Sequence, residues 1–206
     1  MKQPDHTCQH GSQEKLGVLL VNLGSPDAPT SSAVRRYLAQ FLWDSRVVES
    51  PRWIWWLALH AVILRIRPRK AANSYKKVWT DQGSPLIAIS RLQTRALQDK
   101  LQDKFHDTVV VDLAMRYGNP STGERIKELK NAGCDRILLV PLYPQYSAPT
   151  TASANDKAFD ALKTMRWQPA LRTLPPYHDN PAYIEALVAR IGETVAQLDW
   201  QPQAML

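Results

Sequence analysis

The stretch 16–27, LGVLLVNLGSPD, limits the fold more than any other part of the chain. A continuous apolar run over 16–23 ends in the turn residues Gly24, Ser25, Pro26 and Asp27. That pattern reads as a central strand of a parallel sheet, because helices cover both faces of such a strand. In sheets of this kind ligands sit beyond the carboxyl ends of the strands, so Asn22 to Asp27 is the expected start of a cavity floor. By itself the Gly-Ser-Pro turn is equally consistent with a plain tight turn.

Beyond it, strand and helix patterns alternate. Thr30, Ser31 or Ser32 can cap a helix running to about 43, with Val34, Tyr37, Leu38, Phe41 and Leu42 at helical spacing. Pro51 opens a segment that is apolar almost all round over 53–66, broken by His60 and Arg65. It is shorter than the about 20 apolar residues a membrane-crossing helix needs. Two readings stay open: a helix buried in a core, or one whose Trp-rich side rests in a membrane interface. Arg65, Arg67, Arg69, Lys70, Lys76 and Lys77 follow at once, and a short helix is expected over 69–79.

Ser84 and Pro85 give a capped helix start, with the helix running to about 104. Strands are expected over 108–115, 136–142 and 167–174. The helices between and after them are expected to start at Asn119 and Pro120, at Thr151, and at Asn180 and Pro181, ending near 132, 163 and 198. Such alternation builds right-handed crossovers over a parallel sheet. The expected fold class is α/β, a doubly wound, Rossmann-like sheet.

With 206 residues, 44% of them hydrophobic, the chain can bury a sizeable core. Its net charge of +7 points to anionic partners without choosing among phosphates, carboxylates, nucleic acid and acidic lipid. Cys8 and Cys134 have neither metal-site spacing nor a disulfide framework, which points to a reducing compartment. Residues 1–15 lack the apolar core of a secretory signal and read as a disordered leader. Ala204, Met205 and Leu206 read as the opening of a further buried strand. The expected organisation is therefore a domain over 16–178 with a helical insertion at 51–79, followed over 179–206 by a connecting helix and the first residues of a second domain.

The strand exits supply Asn22, Leu23 and Ser25; Arg116 and Tyr117; Tyr143, Gln145 and Tyr146; Tyr177 and His178. Arg67, Tyr75 and Ser84 lie in or just after the insertion. Converging, these groups would make an aromatic, cationic pocket suited to a flat apolar ligand with carboxylates, since rings stack on tyrosines and Arg forks a carboxylate. Neither GxGxxG nor GxxxxGK[ST] is present, which argues against a pyrophosphate cradle.

Six blocks in order, GVLLVNLGSPDAP, QFLWDSRVV, RPRKAANSYKKVW, GSPL, AMRYGNP and LYPQYS, resemble the ferrochelatases, which insert ferrous iron into a porphyrin in the last step of haem synthesis. The resemblance runs from about Leu16 to the last residue. It implies one of two Rossmann-like domains flanking a porphyrin cleft, with an apolar lip lying on the membrane, here the helix bearing Trp53, Trp55 and Trp56. It puts Leu23 under the porphyrin, where other members have Tyr or Met; leucine offers no lone pair to a metal, so a packing role is expected. It implies that Phe41, Leu42 and Val47 form apolar wall, that Arg67 and Ser84, beside Tyr75, contact propionates, and that Arg116, Tyr117 and Tyr143 line the inner cavity.

The family's catalytic His and Glu would lie beyond Leu206, so the resemblance implies no catalytic residue and no metal ligand in this chain, and hence an inactive N-terminal half. Ala148 stands where some relatives carry an iron–sulfur Cys, so no cluster and no resident cofactor are expected; ferrous iron and porphyrin are substrates. A cytoplasmic location, peripheral on the inner membrane face, is expected, and no nucleic acid. The alternatives are a basic Rossmann-like module that binds anionic membrane or nucleic acid without catalysis, or another tetrapyrrole chelatase.

Overall fold

The computed structural model describes residues 15–200. The leader apart from Lys15, with Cys8 in it, and the stub at Ala204 to Leu206 lie outside the described residues. Four parallel strands form one sheet in the order β2-β1-β3-β4: β1 Lys15–Asn22, β2 Val109–Met115, β3 Cys134–Pro141 and β4 Ala170–Thr173. β1 lies between β2 and β3 and pairs with both, Leu20 opposite Leu113 on one side and Val140 on the other. This is the doubly wound α/β fold expected.

Both faces of β1 are buried, which is why its sequence is apolar without alternation. Val18 and Leu20 pack with Val109, Leu113 and Met115 beneath helix α4, Pro85–Phe105, which contributes Leu86, Ile87, Leu97 and Leu101. On the opposite face Leu19 and Val21 meet Ile126 and Leu129 of α5, Thr122–Asn131, and Ala154, Ala158 and Leu162 of α6, Ser153–Lys163. Chain order reverses between β1 and β3, so a crevice opens at their carboxyl ends.

Local signals place most boundaries within a few residues, with instructive exceptions. Helix α1, Ser31–Trp43, is capped by Thr30, whose hydroxyl accepts the Ala33 N–H at 3.4 Å. Helix α5 does not start at Asn119 and Pro120. Ser121 and Glu124 form a reciprocal capping box there, satisfying two orphan amides where Asn119 could satisfy one. Ser84 occupies the position before α4, yet its side chain makes no capping bond, so Pro85 with its preset φ carries that start. Helix α6 is preceded by a π-helical turn over Ala148–Ala152.

The insertion is one helical run rather than two helices. Helix α2, Arg52–Ala58, passes through a π-helical turn at Leu59–Ile63 into α3, Leu64–Val78. Pro68 does not break it. Leu64, four residues earlier, has ψ −5° instead of the about −42° of a regular helix, which turns its carbonyl away from the proline ring. Leu59 and Leu64 pack with Leu42 in a small core of the insertion's own. Trp55 belongs to that core as well, since its indole N–H donates to the Leu42 carbonyl at 2.6 Å. The outward-facing tryptophans are therefore Trp53 and Trp56, at 71% and 50% exposure, accompanied by Ile54, Leu57, Val62 and Ile66. The segment is thus neither a fully buried core helix nor apolar all round in its setting.

A last helix, α7, Pro181–Val195, starts with Asn180 accepting the Ala182 N–H. None of its residues is buried, and Ile184, Leu187, Val188, Ile191 and Val195 lie in one uncovered stripe. No described helix is long and apolar enough to cross a membrane.

Gly24 sits at φ +100° where β1 leaves the sheet, and a Cβ there would lie 1.9 Å from the Tyr117 carbonyl oxygen. Replacing it forces the β1 and β2 exits apart. Gly24→Ala is expected to lower the urea midpoint with a loss of about 3 kcal/mol, combining left-handed backbone strain with overpacking, and a midpoint within error of wild type would refute the close approach.

Candidate functional site

Sheet hydrogen bonding runs past the formal strand ends and locks three exits together. The Arg116 N–H donates to the Asn22 carbonyl at 2.8 Å, Tyr117 N–H to Leu23 at 3.0 Å, and Leu142 N–H to Val21 at 2.8 Å. Over this rim lies a cluster of rings. Tyr37 donates its hydroxyl to the Gly24 carbonyl and stacks on Phe41 at 6.3 Å. Tyr117 meets Phe41 edge-on at 5.2 Å and Tyr37 edge-on at 6.4 Å. The Arg116 guanidinium lies 4.3 Å over the Tyr117 ring.

Beneath the rings runs a buried polar network. Asp44, the residue that ends α1, pairs with Arg116 and accepts the Tyr117 hydroxyl at 2.7 Å and the Ser153 hydroxyl at 2.5 Å, all on one carboxylate oxygen. Its other oxygen accepts the Arg46 N–H at 2.8 Å. Arg116 also donates Nε–H to the Ser153 hydroxyl. The Asp44 and Arg116 side chains are only 5% and 14% exposed, so this ion pair sits away from bulk water.

Burial raises the Asp44 carboxyl, but hydrogen bonds from Ser153, Tyr117 and the Arg46 amide and the Arg116 cation together outweigh it and hold the group below its ordinary 3.8. Tyr117 moves the other way, to about 12, chiefly by burial, with the Asp44 carboxylate adding to the rise. Burial also raises Tyr37, Tyr75 and Tyr143, each feeling neighbouring charge or simple desolvation. The site is thus a wall of protonated phenols and a neutralised guanidinium. Tyr117 is fully buried and Tyr37 nearly so, their hydroxyls given to Asp44 and to the Gly24 carbonyl, so Phe41 is the ring of this cluster with surface left for a flat apolar ligand.

The structure brings together part of the expected set. Phe41, Arg116 and Tyr117 are in mutual contact through the rings just described. Tyr143 lies within electrostatic reach of Tyr117, Tyr37 and Arg116, and its buried hydroxyl has no hydrogen-bond partner among the described residues. Half-buried Tyr75 lies within electrostatic reach of Tyr37 and meets Trp79 edge-on. Leu23 is half-buried on the rim, its N–H bonded to the Asn22 side chain. Val47 is half-buried in the turn after Asp44.

Leu42 is buried in the small core shared by α1 and the insertion, against which Phe41 also packs. Arg67 is exposed on α3. Ser84 lines a hollow of about 530 Å³ with Trp79, Arg91 and Pro26, whereas Arg116 opens on a groove of about 910 Å³ between α1, α5 and α6. Ser84 and Arg116 therefore open on different hollows, which meet at Asn119 and Glu124.

Tyr37, Asp44 and Ser153 were not foreseen as site residues. Tyr37 reads in sequence only as an apolar position of α1, and nothing short of the fold brings Ser153 against Asp44. The one legible signal was an acid directly after the last turn of α1. Of the histidines described, His60, His106 and His178 are exposed, and none joins the network. No group of three or more His, Cys, Asp or Glu is arranged to hold a metal ion among the described residues.

Because the folded Asp44 value is depressed, its carboxylate contributes stability that is present above about pH 4 and lost as the pH falls through that lower value. Asp44→Asn is expected to flatten the acid limb of the stability profile below about pH 4 and to lower stability at neutral pH, both read from denaturant unfolding across the pH range. A parallel acid limb in the two proteins would refute the assignment.

A model of the ferrochelatase family matches residues 15–206. A ferrochelatase of Rhizobium meliloti is 51% identical over 194 residues, which is 93% of this chain and 57% of the relative. Ferrochelatase 2 of Shewanella oneidensis is 54% identical over 184 residues, 89% of this chain and 56% of the relative, and a Marinobacter nauticus ferrochelatase is 50% identical over 183. The chain spans little more than half the length of these relatives. Six sequence blocks, a four-stranded parallel sheet and a family match along nearly the whole chain agree: the chain belongs to the ferrochelatase family.

Proposed function

We propose that this chain is the N-terminal half of a ferrochelatase and that its strand exits form one wall of the cleft in which ferrous iron is inserted into a porphyrin. The observation that carries this reading is the ring cluster of Tyr37, Phe41 and Tyr117 over the exits of β1 and β2, in a chain of that family. A macrocycle is flat, apolar and edged with carboxylates; the partly exposed Phe41 ring, backed by the buried phenols, suits its face, and exposed Arg67 and the hollow at Ser84 suit its edge. Leu23 and Val47 would complete the apolar wall, with Tyr75 and Tyr143 behind it.

Removing pyrrole protons needs a base, and the phenols here are held protonated. On this reading the chain alone binds porphyrin weakly and does not insert iron. With Ala148 in the strand-exit block it would hold no iron–sulfur cluster. Titration of the chain with a dicarboxylate porphyrin, followed by its absorption band, is expected to show saturable binding that Phe41→Ala weakens by about fivefold to tenfold, the worth of one aromatic contact. No saturable binding, or iron insertion by the chain alone, would overturn it.

A peripheral membrane contact at the cytoplasmic face is part of the same reading. It is supported by Trp53, Ile54, Trp56 and Leu57 facing outward on α2, with exposed Arg65, Arg67, Arg69 and Lys70 a few turns on. Vesicles containing anionic lipid are expected to sediment the chain and shift its tryptophan emission to the blue, and Trp53→Ser with Trp56→Ser to abolish both. Equal recovery with neutral and anionic vesicles would rule out the basic contribution.

A further inference from the structure

Asp44 ties together segments that are otherwise far apart in sequence. From the end of α1 its carboxylate receives Arg116 and Tyr117 from the exit of β2 and Ser153 from the first turn of α6, together with the amide of Arg46 in its own turn. The Arg46 guanidinium is occupied elsewhere, 2.8 Å from Asp156. Arg116 cannot then serve as a free anion receptor, because its charge is already met inside the protein.

We infer that Asp44 is a positioning residue for the porphyrin face: through Arg116, Tyr117 and Ser153 it fixes the guanidinium over the buried Tyr117 ring and sets that ring edge-on behind the partly exposed Phe41, so that the wall is braced without net charge. The inference rests on the porphyrin reading of that wall. Its geometry stands on four hydrogen bonds to one buried carboxylate and on two ring contacts through Tyr117. Without the carboxylate, a cation would remain beside an apolar surface with only a hydroxyl to meet it, and such a group moves or draws in an anion. Propionate recognition accordingly falls to cations outside this network.

The test reads the ionisation of Tyr117 and porphyrin affinity side by side, with the tyrosinate step assigned by subtracting the Tyr117→Phe titration. Asp44→Asn keeps the shape and removes the charge. It is expected to move the Tyr117 step down by about half a pH unit or more, since both the hydrogen bond to the carboxylate and its charge hold the phenol protonated. Ser153→Ala is expected to move the step up, because the Ser153 hydroxyl favours the ionised phenol. A residue that merely holds the loops in place would not give opposite signs.

Porphyrin affinity is expected to fall about threefold or more in Asp44→Asn and to recover in part in Asp44→Glu. A Tyr117 step that stays put, or moves the same way in Asp44→Asn and Ser153→Ala, overturns the positioning role even where wild type binds porphyrin. Unchanged porphyrin affinity in a folded Asp44→Asn also overturns it. If wild type takes up no porphyrin, the underlying reading fails, and the tyrosine measurement shows that separately. Should Asp44→Asn not fold, the upward step in Ser153→Ala decides the matter.

Discussion

Backbone lies directly on backbone where the first two strands leave the sheet, and the rest of the site is arranged around that contact. Gly24 and Gly118, both at positive φ, let the two exits pass without side chains between them: a Cβ on Gly118 would lie 2.8 Å from the Ser25 carbonyl oxygen. Because the exits cannot separate, Arg116 and Tyr117 have one place to go, over Leu23 and against α1. Side chains then finish what the backbone begins. Tyr37 donates to the Gly24 carbonyl, Asn119 donates to Asp27, and the Gly118 amide donates to Gln40. Loops are ordinarily the soft part of an α/β domain, yet here the strand-exit turns are held by hydrogen bonds to one another as well as to the sheet.

Charge is distributed in a way that a net +7 does not suggest. The cation nearest the ring cluster is cancelled by Asp44, while Arg65, Arg67, Arg69 and Lys70 lie exposed on a helix of the insertion. Attraction for anions is thereby kept to the periphery, where water screens it and it can guide approach. The inner surface is left to shape and to rings. Such a division suits a ligand whose charges sit at its rim and whose body is apolar.

The sheet was legible because its physics is local: a strand buried on both faces must be apolar throughout, and Ser, Asn, Pro and Gly mark where helices begin and end. Arg116 and Tyr117 were legible as candidates because they leave the end of a strand, whereas Phe41, inside α1, was named through the family resemblance. What escaped was of two kinds. The helix expected to begin afresh at 69 instead runs on through Pro68, because the turn before it is wound loosely enough to accommodate the ring. Asp44, Tyr37 and Ser153 escaped because their importance lies in contacts between segments far apart in the chain, separated by 109 residues for Asp44 and Ser153, and no spacing rule encodes those.

Helix α7 has a consequence of its own. A helix of 15 residues gains little from its backbone bonds alone, and in water most of the stability of such a segment comes from packing an apolar side. The Ile184 to Val195 stripe is exposed among the described residues, and the Asn180 cap and the Tyr177–Tyr183 ring contact brace its first turn. More than a third of each residue in that stripe faces water, so covering them would add the support that the backbone bonds alone do not supply.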